Sequence, residues 1–138
     1  MKSNAIADSV IRIPCQSLQG FFESWFQILK PIHKLSNSEI KLIATIVRLR
    51  YDLSKKITDK DLLNDYIMGK EFKRTILKES GMKLSSFRVS MCKLQKQKVF
   101  VNGQINPKLI PNIGDNNDYK LLLYFDLNEK QGSTEDKR

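Results

Sequence analysis

The residues of this chain that could do chemistry are mostly cations, and they are concentrated in one segment. The chain carries a formal net charge of +9. Between residues 69 and 98, nine basic side chains outnumber two acidic ones, so this segment contributes +7. The nine are Lys70, Lys73, Arg74, Lys78, Lys83, Arg88, Lys93, Lys96 and Lys98. A focused positive charge favours a polyanionic partner, although basic charge alone also suits a membrane surface or ordinary solubility.

Groups suited to catalysis or metal binding are sparse. The single histidine, His33, lies between Ile32 and Lys34, and a lone histidine is more typical of a structural or surface position than of a base. Asp59, Asp61 and Asp65 stand at i, i+2 and i+6, so a helix would not bring them to one face. No glycine-rich phosphate loop is present. The sequence therefore predicts a protein that is not an enzyme and that needs no cofactor or metal.

The cysteines and the hydropathy pattern indicate the compartment. Cys15 and Cys92 lie far apart and lack zinc-ligand spacing. Two isolated cysteines in a lysine-rich chain are typical of reduced thiols, and Cys92 is expected to be a half-buried packing residue. No segment has the ~18 apolar residues of a membrane span, and the N-terminus lacks a signal-peptide core. We expect a soluble, cytoplasmic protein with no membrane partner, located in the host cytoplasm or the virion if a phage encodes it.

The elements that must position the cations begin with an amphipathic helix. Residues 1–17 form an N-terminal arm in which only Val10 to Ile13 has strand character. Apolar residues then recur with helical spacing over residues 18–34, and Pro31 is expected to end that helix. The helix could cover the core. Alternatively, its aromatic residues could form a dimer interface, and these residues are Phe21, Phe22 and Trp25.

Two capping signals predict the next helices. Ser36 and Glu39 have the spacing of a capping box, and the helix that follows is apolar over most of its circumference, so it should be central. Thr58 and Asp59 repeat the capping pattern before a short third helix. The main domain is therefore expected to span residues 35–127.

The pattern of the basic segment predicts a helix, a turn and a second helix, followed by a hairpin. A helix from about Lys70 to Glu79 is followed by Gly81, which tolerates a left-handed conformation. Ser85 or Ser86 should cap the next helix, with Phe87, Met91 and Leu94 inward and Arg88, Ser90, Lys93 and Lys96 outward. Strand-like residues flank Asn102-Gly103, which is a strong hairpin signal. Tyr119 to Leu127 is expected to be a buried strand, and residues 128–138 a polar, disordered tail.

The stretch from Ile76 to Phe100 (ILKESGMKLSSFRVSMCKLQKQKVF) resembles the helix-turn-helix of the winged-helix superfamily, and the resemblance covers about 90 residues. It implies a mostly α fold with a small β-hairpin wing, here preceded by the extra N-terminal amphipathic helix. It also implies that the second helix of the turn enters the major groove of double-stranded DNA. The recognition positions would be Ser85, Ser86, Arg88, Ser90 and Lys93.

The remaining residues of the implied interface are divided between phosphate contacts and the wing. Phosphates would be neutralised by Lys73, Arg74, Lys78, Lys83, Lys96 and Lys98. Asn102 and Gln104 would be exposed on the wing, where Lys108 is the only cation. Val99 to Pro107 (VFVNGQINP) is similar to the wing of some plasmid and phage replication or regulatory proteins, which would imply a mobile-element origin.

Two functions of different classes follow. The first is a winged-helix protein that binds DNA, with or without sequence specificity, in transcription regulation or replication of a mobile element, as a monomer, a homodimer or a larger homo-oligomer. The alternative is a structural or assembly protein, such as a phage virion or connector component, that uses the same module for protein packing. Exposure of Arg88 and Lys93 on a continuous positive surface would favour DNA.

Overall fold

The computed structural model describes residues 10–67, 69–114 and 117–128. Most of the N-terminal arm and nearly all of the predicted tail lie outside these residues. The described chain contains the α-helices α1 (Leu18–His33), α2 (Asn37–Ser54), α3 (Lys60–Ile67), α4 (Lys70–Ser80) and α5 (Leu84–Lys96). The two-residue strands β1 (Phe100–Val101) and β2 (Gln104–Ile105) and a 3₁₀ turn, Pro107–Leu109, follow. The prediction of a mostly helical fold with a small hairpin is confirmed.

Two compact units divide the chain. One spans Ile13–Pro111 and includes every helix and strand named above, so α1 belongs to the same unit as the other helices. The other collects Met1–Arg12 and Asn112–Arg138. Its described residues form no helix and no strand.

The core of the helical unit is built around α2. The capping box is present as predicted: the Ser36 amide donates to Glu39 Oε1 at 3.0 Å, and the Glu39 amide donates to Ser36 Oγ at 3.2 Å. All residues from Leu42 to Val47 are buried, which is expected of a helix that packs against neighbours on several sides. These neighbours are α1, α3, α4 and α5. The central position predicted for this helix is confirmed.

The aromatic stripe of α1 faces this core. Phe22 is 1% exposed and Trp25 8%. The Trp25 indole Nε1 donates to the Leu109 carbonyl at 2.7 Å, while Phe21 is half-buried against the Phe22 ring. The stripe therefore covers the core, and two of the three residues suggested for a dimer interface are already buried within the chain itself.

Pro31 does not end α1, contrary to the prediction. The helix continues to His33 and stops at Lys34, which has the left-handed φ of 55°. The Leu35 amide then closes the helix end by donating to the Lys30 carbonyl at 3.2 Å. Proline removes the hydrogen bond to the Gln27 carbonyl and crowds that carbonyl, and because Gln27 is exposed, the carbonyl can turn outward and bond to water instead.

The buried strand predicted for Tyr119 to Leu127 is also wrong. These residues are described, and none is in a strand. From Leu121 to Leu127 all are exposed. A strand requires a hydrogen-bonded neighbour, and within the described chain β1 and β2 pair only with each other. The apolar composition of the segment indicated burial, but composition does not specify which strand would pair with the segment.

Candidate nucleic-acid interface

The connection between α4 and α5 is a tight three-residue turn, Gly81 to Lys83. Gly81 has φ 72°, and its amide donates to the Leu77 carbonyl at 3.0 Å. Only glycine adopts this conformation without a steric cost, so Gly81 allows α4 to stop and the chain to turn at once. A turn of three or four residues containing glycine is typical of helix-turn-helix units.

The inward face of α5 is formed by Phe87, Ser90 and Leu94, which are 7%, 8% and 0% exposed. Phe87 and Leu94 were predicted to point inward, whereas Ser90 was predicted to be a recognition residue. Its position three residues after Phe87 and four before Leu94 places it on the same side of the helix as both. Ser90 is therefore not available to contact a partner, and its assignment is corrected.

The outermost stripe of α5 consists of Ser85, Val89, Cys92 and Lys96, all exposed and spaced by four, three and four residues. Arg88 and Lys93 are both exposed but lie on opposite flanks of the stripe, because side chains five residues apart point in directions that differ by about 140° around the helix axis. Gln95 is exposed on the same flank as Arg88, because side chains seven residues apart point in directions that differ by only about 20°. The stripe and its Arg88 flank thus combine a guanidinium, an amide, a hydroxyl and a valine.

Ser85 and Ser86 do not cap α5, contrary to the prediction. The helix begins at Leu84, and Lys83 at the N-cap provides no side-chain hydrogen bond. The first backbone amides of a helix have no partner within it and carry a partial positive charge. Ser85 and Ser86 are exposed in this first turn, so their hydroxyls and the amides together could bind an anionic oxygen.

A groove beside the C-terminal end of α5 brings three lysines together. Its walls comprise Lys34, Ser36, Glu39, Lys93, Lys96 and Gln97. The Gln97 side chain donates to the Lys34 carbonyl at 2.8 Å, and the Gln97 carbonyl lies 3.0 Å from His33 Nδ1. These bonds fix the end of α1 against the end of α5. The N-terminus of α2, at Ser36, also borders the groove, where the carboxylate of Glu39 in the capping box offsets its partial positive charge.

The acidic residues near the basic segment are already paired. Glu71 accepts from Arg74 at 3.0 Å, and Glu79 accepts from Arg48 at 2.9 Å. Lys73 is half-buried with its ammonium 5.9 Å from the centre of the Phe87 ring, where it joins α4 to α5. Within the described residues, the other cations of the segment have no ion pair, and Lys78, Lys83, Arg88, Lys93, Lys96 and Lys98 are exposed.

The hairpin after α5 forms at the predicted Asn102-Gly103. Both residues have positive φ, 56° and 79°, which is the geometry of the two-residue turn that matches the twist of the strands. Phe100 pairs with Ile105, and Val101 with Gln104. Asn102 and Gln104 are exposed at the tip, as predicted for a wing.

Sequence reasoning missed four residues of this surface. Val89, Cys92 and Gln95 are exposed on α5, and the helical period could have placed them there once Ser90 was assigned inward. In particular, Cys92 is exposed rather than half-buried. Lys34 was missed for a different reason, because only the packing of α1 against α5 brings it beside Lys93 and Lys96.

Comparisons of the chain with protein-family models, with curated proteins and with solved structures found no match. In the described residues, no helix combines the length and apolarity that crossing a membrane requires. No group of three or more histidine, cysteine or acidic side chains comes together as a metal site would, again within the described part of the chain. The geometry and chemistry of the α4–α5 surface are therefore the basis for assigning a function.

Proposed function

We propose that the helical unit is a winged-helix module that binds double-stranded DNA, with α5 in the major groove and the β1–β2 hairpin as the wing. The main support for the proposal is that α5 exposes a cation-rich surface and directly follows a turn that contains glycine. The elements occur along the chain in the order helix, turn, helix and hairpin. Such a protein would serve as a transcription regulator or replication factor, in line with the resemblance of its sequence to these classes.

Base recognition is assigned to Arg88 and Gln95 on one flank of α5, together with Ser85 and Val89 on the outer stripe. Arginine forms bidentate bonds with guanine O6 and N7, and glutamine can do the same with adenine N6 and N7. The valine methyl groups can contact the methyl group of thymine. Ser90 has no role here because it is buried.

Phosphate contacts are assigned to the first turn of α5 and to the lysine groove. Lys83, Ser85 and Ser86 surround the uncapped amides, and Lys34, Lys93 and Lys96 line the groove at the other end of the helix. Phosphate contacts orient a protein on the duplex without reading its sequence. Each end of α5 would therefore contact the sugar-phosphate backbone of one DNA strand, while the middle of the helix faces the bases.

The experiment is duplex binding across a salt series. We expect log Kd to rise steeply with log salt, with a slope of about 0.9 for each phosphate contact. The double variant Lys93→Ala/Lys96→Ala should weaken binding and reduce this slope by about 2. Lys60→Ala is the matched control, because Lys60 is an exposed lysine on α3, outside the surface. An equal loss with Lys60→Ala, or no binding at low salt, would refute the proposal.

The alternative is an assembly protein that packs through the same surface. It is favoured by the apolar side chains on α5, since Leu84 is 40% and Val89 56% exposed. An assembly protein would associate with other protein chains in a way that depends weakly on salt and would not bind the duplex, whereas a DNA interface depends strongly on salt. The salt dependence of duplex binding, measured together with the salt dependence of the solution mass, therefore separates the two functions.

A further inference from the structure

Residues 119–127, which we name the terminal apolar segment, expose an unusual run of large apolar side chains. Leu122, Tyr124, Phe125 and Leu127 are 60%, 82%, 79% and 88% exposed. Leu121 and Leu123 are 42% and 56% exposed. Contiguous apolar surface on this scale marks an interaction site in a soluble protein.

The segment has the chemistry of a β-strand. It contains no glycine or proline and is rich in leucine and aromatic residues. In an extended conformation its odd positions form one wholly apolar face, Tyr119 to Leu127, whereas the even positions are Lys120, Leu122, Tyr124 and Asp126. The two charges thus share one face and lie near opposite ends of the segment.

We infer that the terminal apolar segment pairs in antiparallel orientation with the same segment of a second copy of the chain, about a two-fold axis at Leu123. In this register Lys120 of each copy lies directly opposite Asp126 of the other, so symmetry gives two opposite-charge pairs. Leu121 faces Phe125, and Leu122 faces Tyr124. Both charges of the segment are thus matched by an opposite charge, which is a pairing that stabilises a sheet, and the aromatic rings face leucines.

Other registers lack this complementarity. Moving the axis to Leu122 places Asp126 opposite Asp118, which is a like-charge pair. Moving it to Tyr124 places Asp126 opposite Leu122 and leaves Lys120 facing Asn128. A parallel arrangement brings Lys120 of the two copies side by side. Like charges directly opposite destabilise strand pairing, so the sequence selects the Leu123 axis.

Charge complementarity favours a second copy as the occupant. The partner must present an acidic side chain opposite Lys120 and a basic one opposite Asp126, and an identical segment in antiparallel orientation does so.

The test is the solution mass of the full chain by sedimentation equilibrium, with charge variants of the segment. We expect the wild type to dimerise. Asp126→Lys or Lys120→Asp alone places like charges opposite each other and should weaken the dimer about ten-fold or more. The double variant Lys120→Asp/Asp126→Lys restores opposite charges and the wild-type net charge, and it should restore dimerisation. Asp65→Lys, an equal charge change at an exposed position on α3, should have no effect.

A cross-linking experiment tests the axis directly. Only a residue on a two-fold axis faces its own copy, so Leu123→Cys in a Cys15→Ser/Cys92→Ser background should form an intermolecular disulfide under mild oxidation. Leu127→Cys should not, because the two copies of that position would lie about 27 Å apart. A monomeric wild type, a double variant that stays monomeric, or equal cross-linking at both positions would overturn the inference. None of these outcomes depends on DNA binding.

Discussion

Trp25 and Leu109 are joined by a buried hydrogen bond across 84 positions of the chain, with the indole Nε1 2.7 Å from the carbonyl oxygen. Trp25 belongs to α1, and Leu109 ends the 3₁₀ turn that follows the hairpin. The bond therefore fixes the first helix to the chain just beyond β2. The hairpin lies in the chain between α5 and this 3₁₀ turn, so the bond helps to hold the hairpin in place beside the α4–α5 surface.

Trp25→Phe should destabilise the protein by about 1–3 kcal/mol, because it leaves the buried Leu109 carbonyl without a donor. Trp25→Ala should cost more, about 3–5 kcal/mol, since it also opens a cavity. The measurement is urea unfolding followed by circular dichroism, as the chain contains one tryptophan and either variant removes its fluorescence. A Trp25→Phe variant as stable as the wild type would show that the bond contributes nothing to folding.

The serines of the two helix N-termini should differ in their effect on stability. Ser36 Oγ accepts the Glu39 amide in the capping box, so Ser36→Ala should lower the free energy of unfolding by about 1 kcal/mol. Ser85 lies within the exposed first turn of α5 and caps nothing. Ser85→Ala should therefore leave stability unchanged and weaken only binding to a duplex. Equal destabilisation by both substitutions would contradict the assignment of Lys83 as the N-cap.

Local signals explain which parts of the fold could be predicted from the sequence. The capping box at Ser36 and the turn at Asn102-Gly103 are completed by residues within a few positions, so their chemistry does not depend on the rest of the chain. The helical period likewise identified Phe87 and Leu94 as inward-facing. The mostly helical fold with a hairpin follows from these elements.

The wrong predictions concern positions that depend on tertiary contacts. Ser90 was predicted to be exposed because serine is a polar residue, but it lies on the packed face of α5. Pro31 could remain in the last turn of α1 because Gln27 is exposed, which depends on how α1 packs. Lys34 lies beside the groove because α1 packs against α5, where the Gln97 side chain donates to the Lys34 carbonyl. A strand at residues 119–127 would need hydrogen bonds to a neighbouring strand, and no local sequence signal specifies which strand that would be.

Lys98 should be a site where a small substitution stabilises the protein. It has φ 68° at the end of α5. The Val99 amide donates to the Leu94 carbonyl at 3.0 Å and the Lys98 amide to the Gln95 carbonyl at 3.2 Å, which is a Schellman motif. A left-handed residue other than glycine costs roughly 1–2 kcal/mol, so Lys98→Gly should raise the free energy of unfolding by about 1 kcal/mol. Lys93→Gly, inside the helix, should lower it by about 1 kcal/mol.

Lys98→Gly also separates stability from binding. The substitution removes one exposed cation of the basic segment, so duplex affinity should fall while the folded state becomes more stable. Urea unfolding and the salt series, measured on the same preparation, provide the two readouts. A variant that is more stable but binds the duplex as tightly as the wild type would place Lys98 outside the interface.

Arg88 and Lys78 should affect binding in different ways. Arg88 is exposed on the flank of α5 that it shares with Gln95. Arg88→Ala should cost about 1–3 kcal/mol on a selected duplex and much less on a random one, because it removes a contact with a base. Lys78 is exposed on α4, where it can reach only phosphate under the proposed docking. Lys78→Ala should weaken binding to both duplexes equally and lower the salt slope by about 1.

The measurement that distinguishes these roles is the ratio of affinities for a selected and a random duplex, determined at several salt concentrations. Arg88→Ala should lower this ratio, and Lys78→Ala should leave it unchanged. Ser90→Ala is the internal control for the corrected assignment, since a buried serine should alter neither the ratio nor the slope. If Ser90→Ala lowers the ratio as Arg88→Ala does, α5 must rotate about its axis on binding, and the stripe of Ser85, Val89, Cys92 and Lys96 would not face the bases.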